Sequence, residues 1–285
     1  MTWHDLKFID DDQCTEGSDC NINLVSLQET VGKGEIVTGP TPGILMGVGT
    51  RGERIPRDLS DMSTYLSRDG GLTWRKVLNA PSIFSFADFG NIAVCIPFKA
   101  VQIDDQNISW ESDSFSYSLD QGKTWSSMKL DEENLIPVVM TTAKDGTAHH
   151  MTFMLFNTKK SIFVVTSADF SDAFNRKCDK KKDYEVWYAR QGLGMKEPAC
   201  VLGQKQWYNR RKQDANCYAS TLYEDLQVIS EPCKCTVNDT TCSHGFIRDE
   251  SMSCVPVPEI IANEVCTGKN SNRKIKVSSK QMSPG

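Results

Sequence analysis

Short apolar or alternating runs, each closed by turn residues, fill roughly the first 170 positions of this chain. Ile44-Leu45-Met46-Gly47-Val48 is a continuous apolar run, and residues 63–67, 92–96, 115–118, 151–156 and 162–166 repeat the pattern. Gly39-Pro40, Asp69-Gly70-Gly71 and Asp145-Gly146 punctuate it. Runs this short fit half-buried strands, and their regular spacing predicts a mostly β fold: a sandwich, a barrel or a propeller.

A repeat narrows the choice. Ser67-Arg68-Asp69-Gly70-Gly71-Leu72-Thr73-Trp74 recurs as Ser118-Leu119-Asp120-Gln121-Gly122-Lys123-Thr124-Trp125, 51 residues later. A period near 50 suits one four-stranded propeller blade. The shared form, Ser-x-Asp-x-Gly-x-Thr-Trp, resembles the Asp-box, a hairpin turn of propellers in sialidases, some glycosidases and sortilin-type receptors. Each position has a physical reason. The aspartate bonds back to the turn backbone, the glycine takes positive φ, and Thr and Trp open the next strand with the indole packed into the blade. Asp69 and Asp120 are therefore read as turn residues rather than as catalytic carboxylates.

Beyond Phe174 long apolar runs vanish and cysteines crowd in, which sets a boundary at about residue 172. Of the 11 cysteines, Cys14 and Cys20 form an early pair and Cys95 stands alone. The other eight are Cys178, Cys200, Cys217, Cys233, Cys235, Cys242, Cys254 and Cys266. Such crowding indicates a disulfide framework and an oxidising compartment. The sequons at Asn107 and Asn238 agree, as candidate glycosylation sites. A net charge of −5 and pI near 5.5 argue against a nucleic-acid partner. No stretch approaches the roughly 20 apolar residues of a membrane helix, and Met1 opens no signal peptide, so the expectation is a piece of a longer secretory-pathway protein.

The cysteine-rich part carries a resemblance. Cys178-Asp-Lys-Lys-Lys-Asp183-Tyr184-Glu185-Val186-Trp187, then Cys200-Val201-Leu202-Gly203, Arg210-Arg211-Lys212, Cys217 and Cys233-Lys234-Cys235-Thr236 with Asp239, Cys242 and Gly245-Phe246, resemble the ten-cysteine module that follows the propeller in sortilin-family receptors. The wording is closest to the fungal vacuolar sorting receptors. The resemblance implies residues 1–172 as the last blades of a propeller of about ten blades, and 173–285 as a small disulfide-rich module with eight of ten cysteines. It also implies the pairs Cys14–Cys20, Cys178–Cys217, Cys200–Cys233 and Cys242–Cys254, with partners for Cys235 and Cys266 lying past Gly285. Cys95 is left as a buried free thiol or bonded to a missing segment. Some 170 residues give only about three blades. An open ring would expose a sheet edge, so the remainder of the propeller is an expected partner.

The function the resemblance implies is the lumenal, cargo-binding region of a type I transmembrane sorting receptor. Such a receptor carries soluble hydrolases and propeptides from Golgi to endosome and vacuole or lysosome, and its membrane segment lies outside this chain. No enzyme activity, cofactor or metal is expected. Two rivals stand beside it: an Asp-box propeller glycoside hydrolase, needing paired carboxylates and an arginine cluster, and a non-catalytic extracellular structural module. The crowding of Cys233, Cys235, Cys242 and His244 could hold zinc, but a disulfide-rich context favours bonded sulfurs. His149 and His150 adjoin on a strand and so point to opposite faces, unfit to chelate one ion together. Ligand-binding residues stay unassigned; the run near Ile44–Gly49 is a candidate tunnel lining by propeller geometry alone.

Overall fold

The computed structural model describes residues 7–8, 21–25, 37–52, 59–102, 108–143, 145–189, 191, 198–220, 222 and 227–257. These residues are mostly strands, joined by turns and four short 3-10 helices. They divide into two compact units, one of residues 1–199 with 205–231, the other of residues 200–204 with 232–285.

The first sheet of the larger unit holds β1 (Lys7–Phe8), β2 (Ile22–Val25), β3 (Val37–Thr38), β4 (Leu45–Arg51), β5 (Ser63–Ser67) and β6 (Thr73–Leu78). Its order is β1-β6-β5-β4-β2, with β3 also paired to β4. Only β1 on β6 is parallel. The next strands are β7 (Ser82–Ala87) and β8 (Ile92–Pro97), then a two-stranded ribbon of β9 (Lys99–Gln102) and β10 (Ile108–Glu111), then β11 (Ser114–Ser118) and β12 (Ser126–Lys129). Without the ribbon they form a four-stranded antiparallel sheet, order β12-β11-β8-β7. The strands β13 (Leu135–Thr141), β14 (His150–Asn157) and β15 (Ile162–Asp169) make a three-stranded meander.

Burial explains the strand patterns. Residues 92–96 of β8 are all fully buried, because both faces of that strand are covered; hence the unbroken apolar run. In β14 alternate residues Met151, Phe153 and Leu155 point inward, the period of a strand with one wet face. One apolar cluster joins Val48 of the first sheet, Ile83, Val94 and Phe115 of the second and Phe153 of the third, so the three sheets share one core, consistent with a propeller-blade region. Ile44, Met46 and Val48 are themselves part of this packed interior.

The cysteine-rich segment begins inside the same unit. The strands β16 (Tyr184–Tyr188), β17 (Gln204–Arg211) and β18 (Ile229–Pro232) form a sheet in that order, and Cys178 is bonded to Cys217. The smaller unit has another construction. It contains the hairpin β19 (Phe246–Arg248) with β20 (Cys254–Pro256) and the disulfides Cys200–Cys233 and Cys242–Cys254, yet none of its described residues is buried. Asp239 accepts from Leu202 N–H and Thr236, while Arg248 donates to the carbonyls of Val237, Thr240 and Met252. With no core, sulfur bridges and such hydrogen bonds define its shape.

Candidate functional site

Two turns and one strand form the most highly organised polar region among the described residues. The turn between β5 and β6 is a closed hydrogen-bond circuit. Ser67 Oγ donates to Asp69 Oδ1 at 2.8 Å and accepts from Gly71 N–H at 2.9 Å. Asp69 accepts from the Thr73 N–H and hydroxyl, and Trp74 Nε1 donates to Gly71 O at 3.0 Å. The turn between β11 and β12 repeats every bond. Ser118 donates to Asp120 (2.8 Å) and accepts from Gly122 N–H (2.8 Å), Asp120 accepts from Thr124, and Trp125 donates to Gly122 O (3.2 Å). Burial pushes the Asp120 carboxyl up, but the hydrogen bonds from Thr124 and Ser118 outweigh it and hold it below its ordinary value. Both carboxylates are engaged by their own turns, which leaves neither aimed at a ligand.

The strand β17 reaches both turns. Its register places Arg210 opposite Glu185 and Arg211 opposite Tyr184. Neighbours on a strand leave from opposite faces, and the two arginines accordingly diverge. Arg210 donates to Arg68 O at 2.6 Å and to Pro42 O at 3.2 Å, pairs with Glu185 at 2.9 Å, and lies 5.1 Å from the Trp187 ring centre. Arg211 donates to Leu119 O at 2.6 Å and to Cys217 O at 2.6 Å, and stands 5.2 Å over Phe174. Arg68 and Leu119 occupy the same position of the two repeats. Adjacent arginines of one strand thus grip equivalent carbonyls of successive turns.

A side-chain lattice ties the turns together. Arg68 donates to Gln121 Oε1 at 2.6 Å, and Gln121 Nε2 donates to Asn91 Oδ1 (2.8 Å) and Arg211 O (3.0 Å). Burial, then the neighbouring Arg210, lowers the Arg68 guanidinium to about 10. Close packing also fixes Gly43, where a Cβ would lie 2.6 Å from the Trp187 indole. Beside the lattice, Asp88 is fully buried and accepts from Ala219 N–H at 2.9 Å and from Asn91; His149 Nε2 lies 3.5 Å away. Desolvation raises the Asp88 carboxyl above its ordinary value despite these donors. His150, at the start of β14, faces solvent. The lattice holds no facing carboxylate pair of the kind a retaining glycosidase needs. Arg210 Nη1 and both terminal nitrogens of Arg211 donate to main-chain carbonyls, which makes the lattice a bracket.

Comparisons with known proteins place the chain as a whole. Residues 1–140 match the family model described as "Sortilin, neurotensin receptor 3", and residues 142–284 match its C-terminal counterpart. The chain belongs to the sortilin family. Among the relatives of this sortilin-family chain is "Vacuolar protein sorting/targeting protein 10" of Debaryomyces hansenii, 39% identical over 292 aligned positions that cover 99% of this chain and 18% of that protein. The protein of the same name from Candida dubliniensis is 37% identical, covering 89% and 16%. "Vacuolar protein sorting/targeting protein PEP1" of Saccharomyces cerevisiae is 37% identical, covering 93% and 17%. The chain therefore spans under a fifth of the length of these curated relatives.

The remaining sortilin-family positions fall as follows. Cys233 and Cys242 are each in a disulfide, which removes two of the three thiolates from the Cys233, Cys235, Cys242 and His244 cluster. Cys178, Asp183 and Cys217 come close together, but the two sulfurs are bonded to each other and Asp183 is held by Arg176 and by Asp179 N–H. Among the described residues Cys235 is exposed and has no disulfide partner, and neither has Cys95, which is buried in mid-β8 and pushed well up by desolvation. Asn238 lies in a 3-10 turn of the smaller unit. Cys14, Cys20, Asn107 and Cys266 lie outside the described residues. Arg210, Arg211, Gln121 and Asp88 were not singled out as site residues from sequence. An Arg-Arg pair just after Trp207-Tyr208, 51-residue partners at Arg68 and Leu119, and a polar residue at the Gly70 equivalent were the available signals.

Proposed function

We propose that this chain is part of the lumenal, cargo-binding region of a membrane-anchored sorting receptor, one that carries soluble hydrolases and propeptides from the Golgi to endosome and vacuole without catalysing a reaction. What supports the reading is identity of 37–39%, spread along nearly the whole chain, to proteins named for vacuolar sorting and targeting. The disulfides suit an oxidising lumen. The Asp-box carboxylates are engaged in turns, which suits a binding protein better than a glycosidase.

In this reading residues 1–172 are the closing blades of a larger propeller and 173–285 a disulfide-rich module that braces them. Asn107 and Asn238 carry glycans, and Cys14 is bonded to Cys20. The test is deletion of the segment encoding this chain from the full-length gene, followed by assay of soluble vacuolar hydrolases in the medium. Missorted hydrolases in the medium are the expected result; full retention inside the cell overturns the reading. Non-reducing peptide mapping of the purified full-length protein checks the cysteine and glycan assignments.

A further inference from the structure

A cavity of about 480 Å³ opens beside the arginine bracket, within the larger unit. That volume falls in the range of small-ligand sites, roughly 300–1,000 Å³. Among the described residues its lining carries four cations, Lys177, Lys180, Arg210 and Arg211, and one carboxylate, Asp145, in a chain of net charge −5. Asp145 is already engaged, accepting from the N–H and hydroxyl of Thr147. Arg210 has its counter-charge in Glu185. Arg211 differs. It is 1% exposed, its terminal nitrogens donate only to the carbonyls of Cys217, Leu119 and Asn91, and its Nε–H has no acceptor. Among the described residues no carboxylate reaches ion-pair distance of it. Burial still pulls its pKa down, Asp88, Asp120 and Asp183 act on it only through space, and an anion brought into direct contact would offset more of that desolvation cost. The opposite side of the cavity is apolar, with Pro40, Pro42 and Phe89.

We propose that this cavity binds a carboxylate-bearing ligand, held by Arg211 at the buried wall and by the exposed Lys177 and Lys180, with its aliphatic part against Pro40, Pro42 and Phe89. The carboxylate could come from a free dicarboxylic acid or from an acidic side chain of a bound polypeptide, and the same chemistry serves both. Such binding needs no cargo transport, so its test is independent of the sorting assay.

The test is isothermal titration calorimetry on the full-length protein at low salt. The probes are succinate and a capped pentapeptide containing two glutamates, with succinamide and the glutamine-substituted peptide as neutral controls. Binding of either acid, with its neutral control silent, supports the site; succinate alone points to a free acid and the peptide alone to a polypeptide. The double substitution Lys177→Glu with Lys180→Glu is expected to weaken binding roughly tenfold. Arg211→Gln abolishes it where that variant folds; the lysine pair is exposed, so the test survives if it does not. Silence from both acids, binding equal to that of the neutral controls, or unchanged affinity in the lysine variant overturns the proposal.

Discussion

The two Asp-box turns make the same hydrogen bonds yet stand in different surroundings. Trp74 is 2% exposed and Thr73 is buried with it, whereas Trp125 is half-buried and Thr124 exposed. The four conserved chemistries, Ser, Asp, Gly and Thr-Trp, close the circuit locally in both. Positions that vary between the repeats do the rest: Arg68 and Gln121 build the lattice, and Gln121 stands in left-handed backbone (φ 55°) where the first repeat has Gly70 (φ 75°). The motif specifies the turn, and the variable residues specify what the turn is attached to.

The comparison can be broken at its largest difference first. Trp74→Ala is expected to cost about 3–5 kcal/mol, as large-to-small changes in a core do. Trp125→Ala should cost about 1–2 kcal/mol, since less area leaves water there. Chemical denaturation of the full-length protein measures both, and equal costs would mean that burial is not what separates the repeats. The glycines come next. Gly71 and Gly122 both have positive φ (92° and 85°), so alanine at either costs about 1–2 kcal/mol of backbone strain. A Cβ at Gly122 also meets Leu66 Cδ1 at 2.6 Å, against 3.4 Å to Leu45 at Gly71. Leu66 is buried and cannot easily retreat, so Gly122→Ala should exceed Gly71→Ala by about 1 kcal/mol or more.

A milder change converts one repeat into the other. Gln121→Gly relieves the left-handed backbone but strips the partners of Asn91 Oδ1 and Arg211 O, for a net loss of about 1 kcal/mol. The smallest effect concerns pH. The folded Asp120 carboxyl lies below its ordinary value, so its ionised form adds stability above the unfolded pKa, lost as pH falls through the folded one. Melting temperature should therefore fall more steeply between pH 5 and pH 3 in the wild type than in Asp120→Asn, with the pH limits set roughly by ordinary carboxylate pKa values. Parallel slopes would remove Asp120 from the account.

The blades were legible because their signals are local. Residues 63–67 are β5, and the runs 92–96, 115–118, 151–156 and 162–166 all lie inside β8, β11, β14 and β15. The paired repeat foretold hairpin turns for the same reason: every bond in the circuit spans four residues or fewer. The bracket was not legible. Arg210 and Arg211 find their turn carbonyls 142 and 92 residues upstream, and an Arg-Arg pair otherwise reads as surface charge. His149 and His150 were expected side by side on a strand, but β14 begins at His150 and His149 precedes it; nothing in the sequence marks Asp88, 61 residues upstream, as the neighbour of His149. Long-range polar contacts leave no periodicity to read.

That two neighbouring arginines of β17 each hold one Asp-box turn is most directly tested by hydrogen exchange on full-length Arg210→Gln and Arg211→Gln. Faster exchange of the Gly71 and Thr73 amides in the first variant, with Gly122 and Thr124 unchanged, and the reverse in the second, is the predicted result. Equal acceleration at both turns in either variant, or none at all, would contradict it.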